Sequence, residues 1–133
     1  MIEIKTLTIA DAEKIVNAAR KKAEEIGSPS NIAVVDAFGF LLMHIRMDGS
    51  QLPSIEHSIN KAKTSAYFKK ATVDLKKDAE PSGDLYGLNN TLDNQVIVFA
   101  GGVPIMHDKV VIGALGISGG TADQDATIAG YAA

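Results

Sequence analysis

The sequence predicts an α+β fold, a layer of antiparallel strands with helices packed on it. Three observations lead to that class. Residues 9–26 and 54–70 repeat their apolar side chains at three- and four-residue spacings, which gathers them into one stripe on a helix. Short runs rich in Val and Ile, residues 32–36, 40–47, 96–100, 103–106 and 110–117, are bounded by Gly, Asp and Pro as strands are. The connections 37–39 and 107–109 suit hairpins and are far too short for a parallel crossover, so neighbouring strands run antiparallel.

Each element has a local cause. Thr8 is an N-cap for the first helix, with Asp11 and Glu13 in the first turns, where negative charge meets the helix dipole favourably. Ala12, Ile15, Val16, Ala19, Ala23 and Ile26 form its stripe, and Gly27 is placed to end it. In the strand over 40–47, alternation sets Leu41, Met43, Ile45 and Met47 on one face. Phe40, Leu42, His44 and Arg46 fall on the other, a surface apolar at one end and cationic at the other. The second helix opens at Ser54 after Pro53 and buries Ile55, Ile59, Ala62 and Ala66. Thr72 caps a short further helix, and residues 80–94 read as a long irregular segment of the kind that often carries function. Pro104 removes a ladder donor, so its strand is expected at a sheet edge or with an irregularity there. Gly113 and Gly116, inside the last strand, mark a bulge or a close approach of other groups. Thr121 and Gln124 have the form of a capping box opening the last helix.

At 133 residues, 46% hydrophobic and 22% charged, the chain reads as one globular domain over residues 1–133. It has no cysteine, so no disulfide, thiolate nucleophile or cysteine metal site is available. The start, Met-Ile-Glu-Ile, lacks the basic and apolar regions of a secretory signal. No apolar run approaches the roughly 20 residues that span a bilayer. The expectation is a cytoplasmic protein that does not engage membranes. A net charge of −3 and the absence of Trp argue against a nucleic-acid partner.

The chemistry is sparse. Gly119, Gly120 and Thr121 lead into a helix start, where free backbone N–H groups can hold a carboxylate or phosphate; the same residues also make an ordinary strand-to-helix turn. The histidines, His44, His57 and His107, share no i,i+4 spacing, so no preformed metal site is expected. His107 reads as part of a polar turn. No nucleophile elbow, P-loop or dinucleotide fingerprint is present, and no catalytic residue is assigned.

Taken together, Val34-Val35-Asp36-x-x-Gly39, Arg46-x-Asp48-Gly49, Lys61-Ala62-x-Thr64, Gly101-Gly102-x-Pro104-Ile105 and Gly113-x-x-Gly116-x-Ser118-Gly119-Gly120 resemble the GlcG/HbpS family. That family includes the C-terminal domain of PduO-type proteins and small OrfY-like proteins. The resemblance implies a profilin-like fold with a five-stranded antiparallel sheet flanked by helices, and a homo-oligomer. It also implies a non-catalytic binder of haem or a corrinoid-related tetrapyrrole, accessory to glycolate, glycerol or propanediol use. Some haem-binding members look to use a histidine on the first helix, and residues 9–26 hold none. Ligation is then expected at His44, His57 or a non-histidine group such as Thr, with Arg46 and Lys61 meeting ligand carboxylates. Asp36, Arg46, Asp48 and Lys61 also have a structural reading, as charged side chains that fix turns. Two further function classes stand beside the binder: an enzyme or accessory factor for a small hydroxy or carboxy compound at Gly119, Gly120 and Thr121, and a structural oligomer subunit.

Overall fold

A computed structural model describes the whole chain, residues 1–133. Helix α1 (Ile9–Glu25) starts at Thr8, whose hydroxyl accepts the Asp11 N–H at 3.2 Å while the Asp11 carboxylate accepts the Thr8 N–H at 2.9 Å. This reciprocal box satisfies two helix-end donors. The hydrogen bonds from Thr8 favour the carboxylate form and pull the Asp11 pKa below its usual 3.8. After α1 the backbone turns left-handed at Gly27, with φ 68°.

Strands β1 (Asn31–Asp36) and β2 (Leu41–Arg46) follow, then helix α2 (Ser54–Phe68) and the short helices α3 (Lys76–Ala79) and α4 (Thr91–Asn94). Strands β3 (Gly102–His107) and β4 (Val110–Ser118) and helix α5 (Ala122–Ala132) complete the chain. The sheet is antiparallel in the order β2-β1-β4-β3, so β3 is an edge strand, as Pro104 requires. Ile32 and Val34 of β1 and Leu115 and Ile117 of β4 face α1 and α5, forming a core with Val16, Ala19 and Ile128. The alternate residues Ala33, Val35 and Ala114 face Ala62 and Ala66 of α2. No helix is long and apolar enough to cross a membrane.

Four predicted details change. The sheet has four strands, not five, because residues 96–100 lie outside the ladder. Val96 and Ile97 are buried as their composition demands, but side chains satisfy the backbone there. The Thr64 hydroxyl accepts the Ile97 N–H at 3.1 Å and donates to the Gln95 carbonyl at 3.4 Å. The Thr72 hydroxyl donates to the Phe99 carbonyl at 2.6 Å and accepts the Gly102 N–H at 3.0 Å. Buried peptide groups need partners, and here two threonines supply what a fifth strand would have supplied. The same bonds take Thr72 away from its expected capping role; it begins a 3-10 turn with its side chain inward.

In β2 a bulge places Val34 opposite Met43 but Val35 opposite Leu41. The extra residue shifts the alternation, so Leu42 joins Met43 and Ile45 against the α1 core and Leu41 pairs on the α2 face. On α2 the expected apolar stripe is largely polar: Ser54, Ser58, Lys61, Thr64 and Ser65 are buried with Ala62 and Ala66, while Ile55 and Ile59 are only half-buried. Gly116 explains the close seating, since a Cβ there would overlap the Ser58 carbonyl and lie 2.7 Å from the Ala62 nitrogen. The helix backbone rests directly on β4, and small side chains are what fit.

Candidate functional site

Lys61 is the largest fully buried side chain, with 1% of its surface exposed. Its ammonium donates to the Ile117 carbonyl at 2.8 Å and to Asp125 Oδ2 at 3.1 Å, and lies 5.1 Å from the centre of the Phe99 ring. Burial pushes its pKa below the usual 10.5, and the charge and hydrogen bond of Asp125 pull against that shift. Gly101 makes room for it: a Cβ there would stand 2.7 Å from Lys61 Nζ. The lysine therefore bolts α2, the end of β4 and α5 together.

The other oxygen of Asp125 accepts the Gly120 N–H at 3.1 Å. Thr121 and Gln124 close a capping box, with Thr121 N–H to Gln124 Oε1 at 2.9 Å and Gln124 N–H to Thr121 Oγ1 at 3.2 Å. The donors of Gly120, Thr121 and Gln124 are thus met by the chain's own side chains. Gly119 is needed for another reason, because a Cβ there would crowd the Pro29 carbonyl and its φ is 156°.

Among the expected residues, His57 and Lys61 are brought together through Phe99, which His57 meets edge-on at 5.8 Å. His44 and Arg46 lie apart from them on the edge strand β2, opposite Ala33 and Asn31. His44 is half-buried, and its Nε2 is sealed from solvent without a hydrogen bond. Burial first, and the charge of Arg46 second, hold its pKa below 6.5, so the imidazole favours its neutral form. Arg46 is exposed. Asp36 fixes the β1–β2 turn, its carboxylate accepting the N–H groups of Phe38 at 2.9 Å and Phe40 at 3.0 Å.

None of these residues lines the most apolar cleft. That cleft, of about 700 Å³, lies between the N-terminal arm, the β1–β2 turn, the end of α2 and the β3–β4 turn, and eight of its thirteen lining residues are hydrophobic. Phe38, Tyr67, Val110 and Val111 supply much of the wall, with Lys5, Lys69 and His107 also on it. Gly39 shapes it, since a Cβ there would strike the Tyr67 ring. A second cleft of about 700 Å³, beside the end of α1, takes in Arg46 and Asp48 but has only three hydrophobic residues among ten. Its Arg20 is paired with Glu24 at 3.2 Å. Of the two, the first is the better receptacle for a large apolar ligand. Sequence reasoning missed its residues because they come from four separated segments; the only local signal was Gly39 in a turn flanked by aromatics.

Comparison with known proteins places this architecture. The family described as "Haem degrading protein HbpS-like" matches residues 7–133. The chain belongs to the HbpS-like family. The crystal structure of Klebsiella pneumoniae protein ORFY superposes with a TM-score of 0.97 at 37% identity, over 99% of this chain and 91% of that one. The crystal structure of a PduOC:heme complex gives a TM-score of 0.92 at 36% identity, over 96% of this chain and 92% of that one. The corrinoid adenosyltransferase PduO of Salmonella typhimurium is 37% identical over 123 residues, 92% of this chain. The match spans only 37% of that relative's length.

Proposed function

We propose that this chain binds a tetrapyrrole, with haem as the ligand, and holds it rather than turning it over. The observation that carries the reading is the apolar cleft of about 700 Å³ in a fold 36% identical to a haem-complexed PduOC structure. The residues present fit the group. The cleft is within the size range of small-molecule sites, Phe38 and Tyr67 offer flat apolar surface, and its lining carries the cations of Lys5 and Lys69 beside the carboxylates of Glu3 and Asp108. A bound haem would supply an iron centre whose properties depend on its axial ligand.

The histidines that the sequence nominates for that ligand define two competing locations, His44 on β2 with Arg46 as carboxylate partner, and His57 on α2. The relation to PduO supports a role beside propanediol-type metabolism, although adenosyl transfer belongs to a protein of which this chain matches little more than a third. Exposed Phe40, Leu52 and Tyr86 support self-association, which would cover them. Haemin titration of the purified chain tests the central reading. A saturable Soret band that persists for hours supports a holding function. Protein-dependent bleaching would make the chain an enzyme, and a response no larger than that of an unrelated acidic protein would remove the haem reading.

A further inference from the structure

Residues 1–5 lie against the apolar cleft without being fixed in it. They make no hydrogen bond and no ion pair. The arm is first anchored at Thr6, whose hydroxyl accepts the Ala37 N–H at 2.9 Å, and at Leu7, whose N–H donates to the Ile112 carbonyl at 3.0 Å. Ile2 and Ile4 belong to the cleft wall, yet they are 87% and 51% exposed. Beside the arm, β4 has an open side. β1 pairs with it only as far as Asp36 opposite Gly113, so Val110, Val111 and Ile112 have no strand there. Phe38, Tyr67 and Val110 add exposed apolar surface around the same cleft. Exposed apolar residues beside unpaired backbone mark a surface that another chain can cover.

The arm's own pattern says which chain that is. Ile2-Glu3-Ile4-Lys5 alternates, so in extended backbone Ile2 and Ile4 share one face while Glu3 and Lys5 share the other. An identical segment laid antiparallel about a two-fold axis at Ile4 sets the two Ile4 side chains opposite each other. It also sets Glu3 of each copy opposite Lys5 of the other. Moving the axis to Glu3 or to Lys5 would oppose like charges, so the charges select the Ile4 register. The cleft lining carries Lys69 and Asp108, both signs of charge, which suits a segment that itself carries both.

We propose that the arm pairs antiparallel with the arm of a second copy, the two laying Ile2 and Ile4 over the mouths of both clefts. The proposal rests on the self-association reading and names the segment that carries it. A two-stranded ribbon is marginal by itself in water. Here the walls formed by Phe38, Tyr67 and Val110 give its isoleucine face something to bury against, and Glu3 and Lys5 stay in solvent. Each copy therefore contributes wall to the other's cleft, and the cleft is complete only in the pair.

The chain has no cysteine, so one introduced thiol reports on this contact alone. Directly opposed residues of antiparallel strands have Cα atoms about 4.5–5.5 Å apart, within disulfide reach. Ile4→Cys is oxidised mildly without added ligand, and the disulfide-linked dimer is followed on non-reducing gels. The control is Ile9→Cys, at a side chain of matching exposure, 52% against 51%. Light scattering gives the mass of the wild type over a concentration series, and circular dichroism checks folding. Ile4→Cys should link about tenfold faster than Ile9→Cys, because only the first thiol faces its copy. In the Ile4→Cys background, Glu3→Lys or Lys5→Glu alone should slow linking about tenfold, since each turns two attractive pairs into repulsive ones. Both changes together should restore it to within about twofold, because the pairs re-form with their signs exchanged. An oligomer in which Ile4→Cys links no faster than the control, or in which the charge exchange fails to restore linking, overturns the proposal and leaves self-association to another surface. A monomer at every concentration overturns the self-association reading with it.

Discussion

The two faces of the sheet are built by different physics. Toward α1 and α5 the interior is apolar, with Val16, Ile32, Val34, Leu115, Ile117 and Ile128 at or near zero exposure. Toward α2 the apolar contribution is mostly alanine, and the buried surface includes Ser54, Ser58, Lys61, Thr64 and Ser65. Hydrophobic burial is non-directional, so the first face needs only shape and volume. The second depends on directed bonds: Thr64 to residues 95 and 97, Ser118 to Ser54 at 3.1 Å, and Lys61 to Asp125. The Thr64 bonds, with those of Thr72 to Phe99 and Gly102, hold the irregular connection between α2 and β3 in place without a ladder. The difference teaches that α2 acts as a framework for loops, while α1 and α5 close the core.

Mutations can break that contrast. The largest effect is expected for Lys61→Ala, which leaves Asp125 buried without its partner and should cost about 3–5 kcal/mol in urea unfolding. The double change Lys61→Met with Asp125→Leu should recover much of that loss, because the cost lies in the stranded charge. If Lys61→Ala is nearly neutral, the polar face is not held by directed bonds. On the apolar face, Ile128→Ala should cost about 3 kcal/mol through lost transfer energy and a cavity. Gly116→Ala tests the seating of α2, and forcing the helix away from β4 should cost about 2 kcal/mol or more in thermal or denaturant melts.

A smaller, pH-dependent effect is expected from His44. Its folded pKa lies below 6.5, so in acid the unfolded chain takes up the proton first. The stability it contributes is present above about pH 6.5 and is lost as pH falls through the folded value. His44→Phe should flatten this part of the stability–pH curve, and an unchanged slope would mean that His44 is not the group responsible. The smallest effect is expected for Phe40→Ser, at a side chain 71% exposed: a change within about 0.5 kcal/mol for the monomer. A larger loss that depends on protein concentration would show that Phe40 is covered by a second copy.

The candidate site is less legible in the sequence than the fold. Arg46 and Lys61 read as equivalent cations, yet one is exposed and the other is the bolt between α2 and α5. Gly119, Gly120 and Thr121 are readable as a helix start with donors to offer, but nothing local says that Asp125 and Gln124 occupy those donors. His107 is readable as a turn residue, and only folding sets it beside Phe38, Tyr67 and Lys5.

By itself the sequence determined what depends on neighbours a few positions away. The Thr8 N-cap, the Thr121–Gln124 capping box, the glycine stop after α1, the hairpin turns and the edge position of the Pro104 strand follow from local hydrogen bonding, backbone dihedrals and side-chain period. The tertiary structure alone decided the fate of residues 96–100, the bulge that exchanges Leu41 and Leu42, and the partner of Lys61. Lys61 meets Asp125 across 64 positions, and Thr64 meets Ile97 across 33. No local pattern encodes such meetings, because a buried polar group takes whichever partner the packed chain brings within reach.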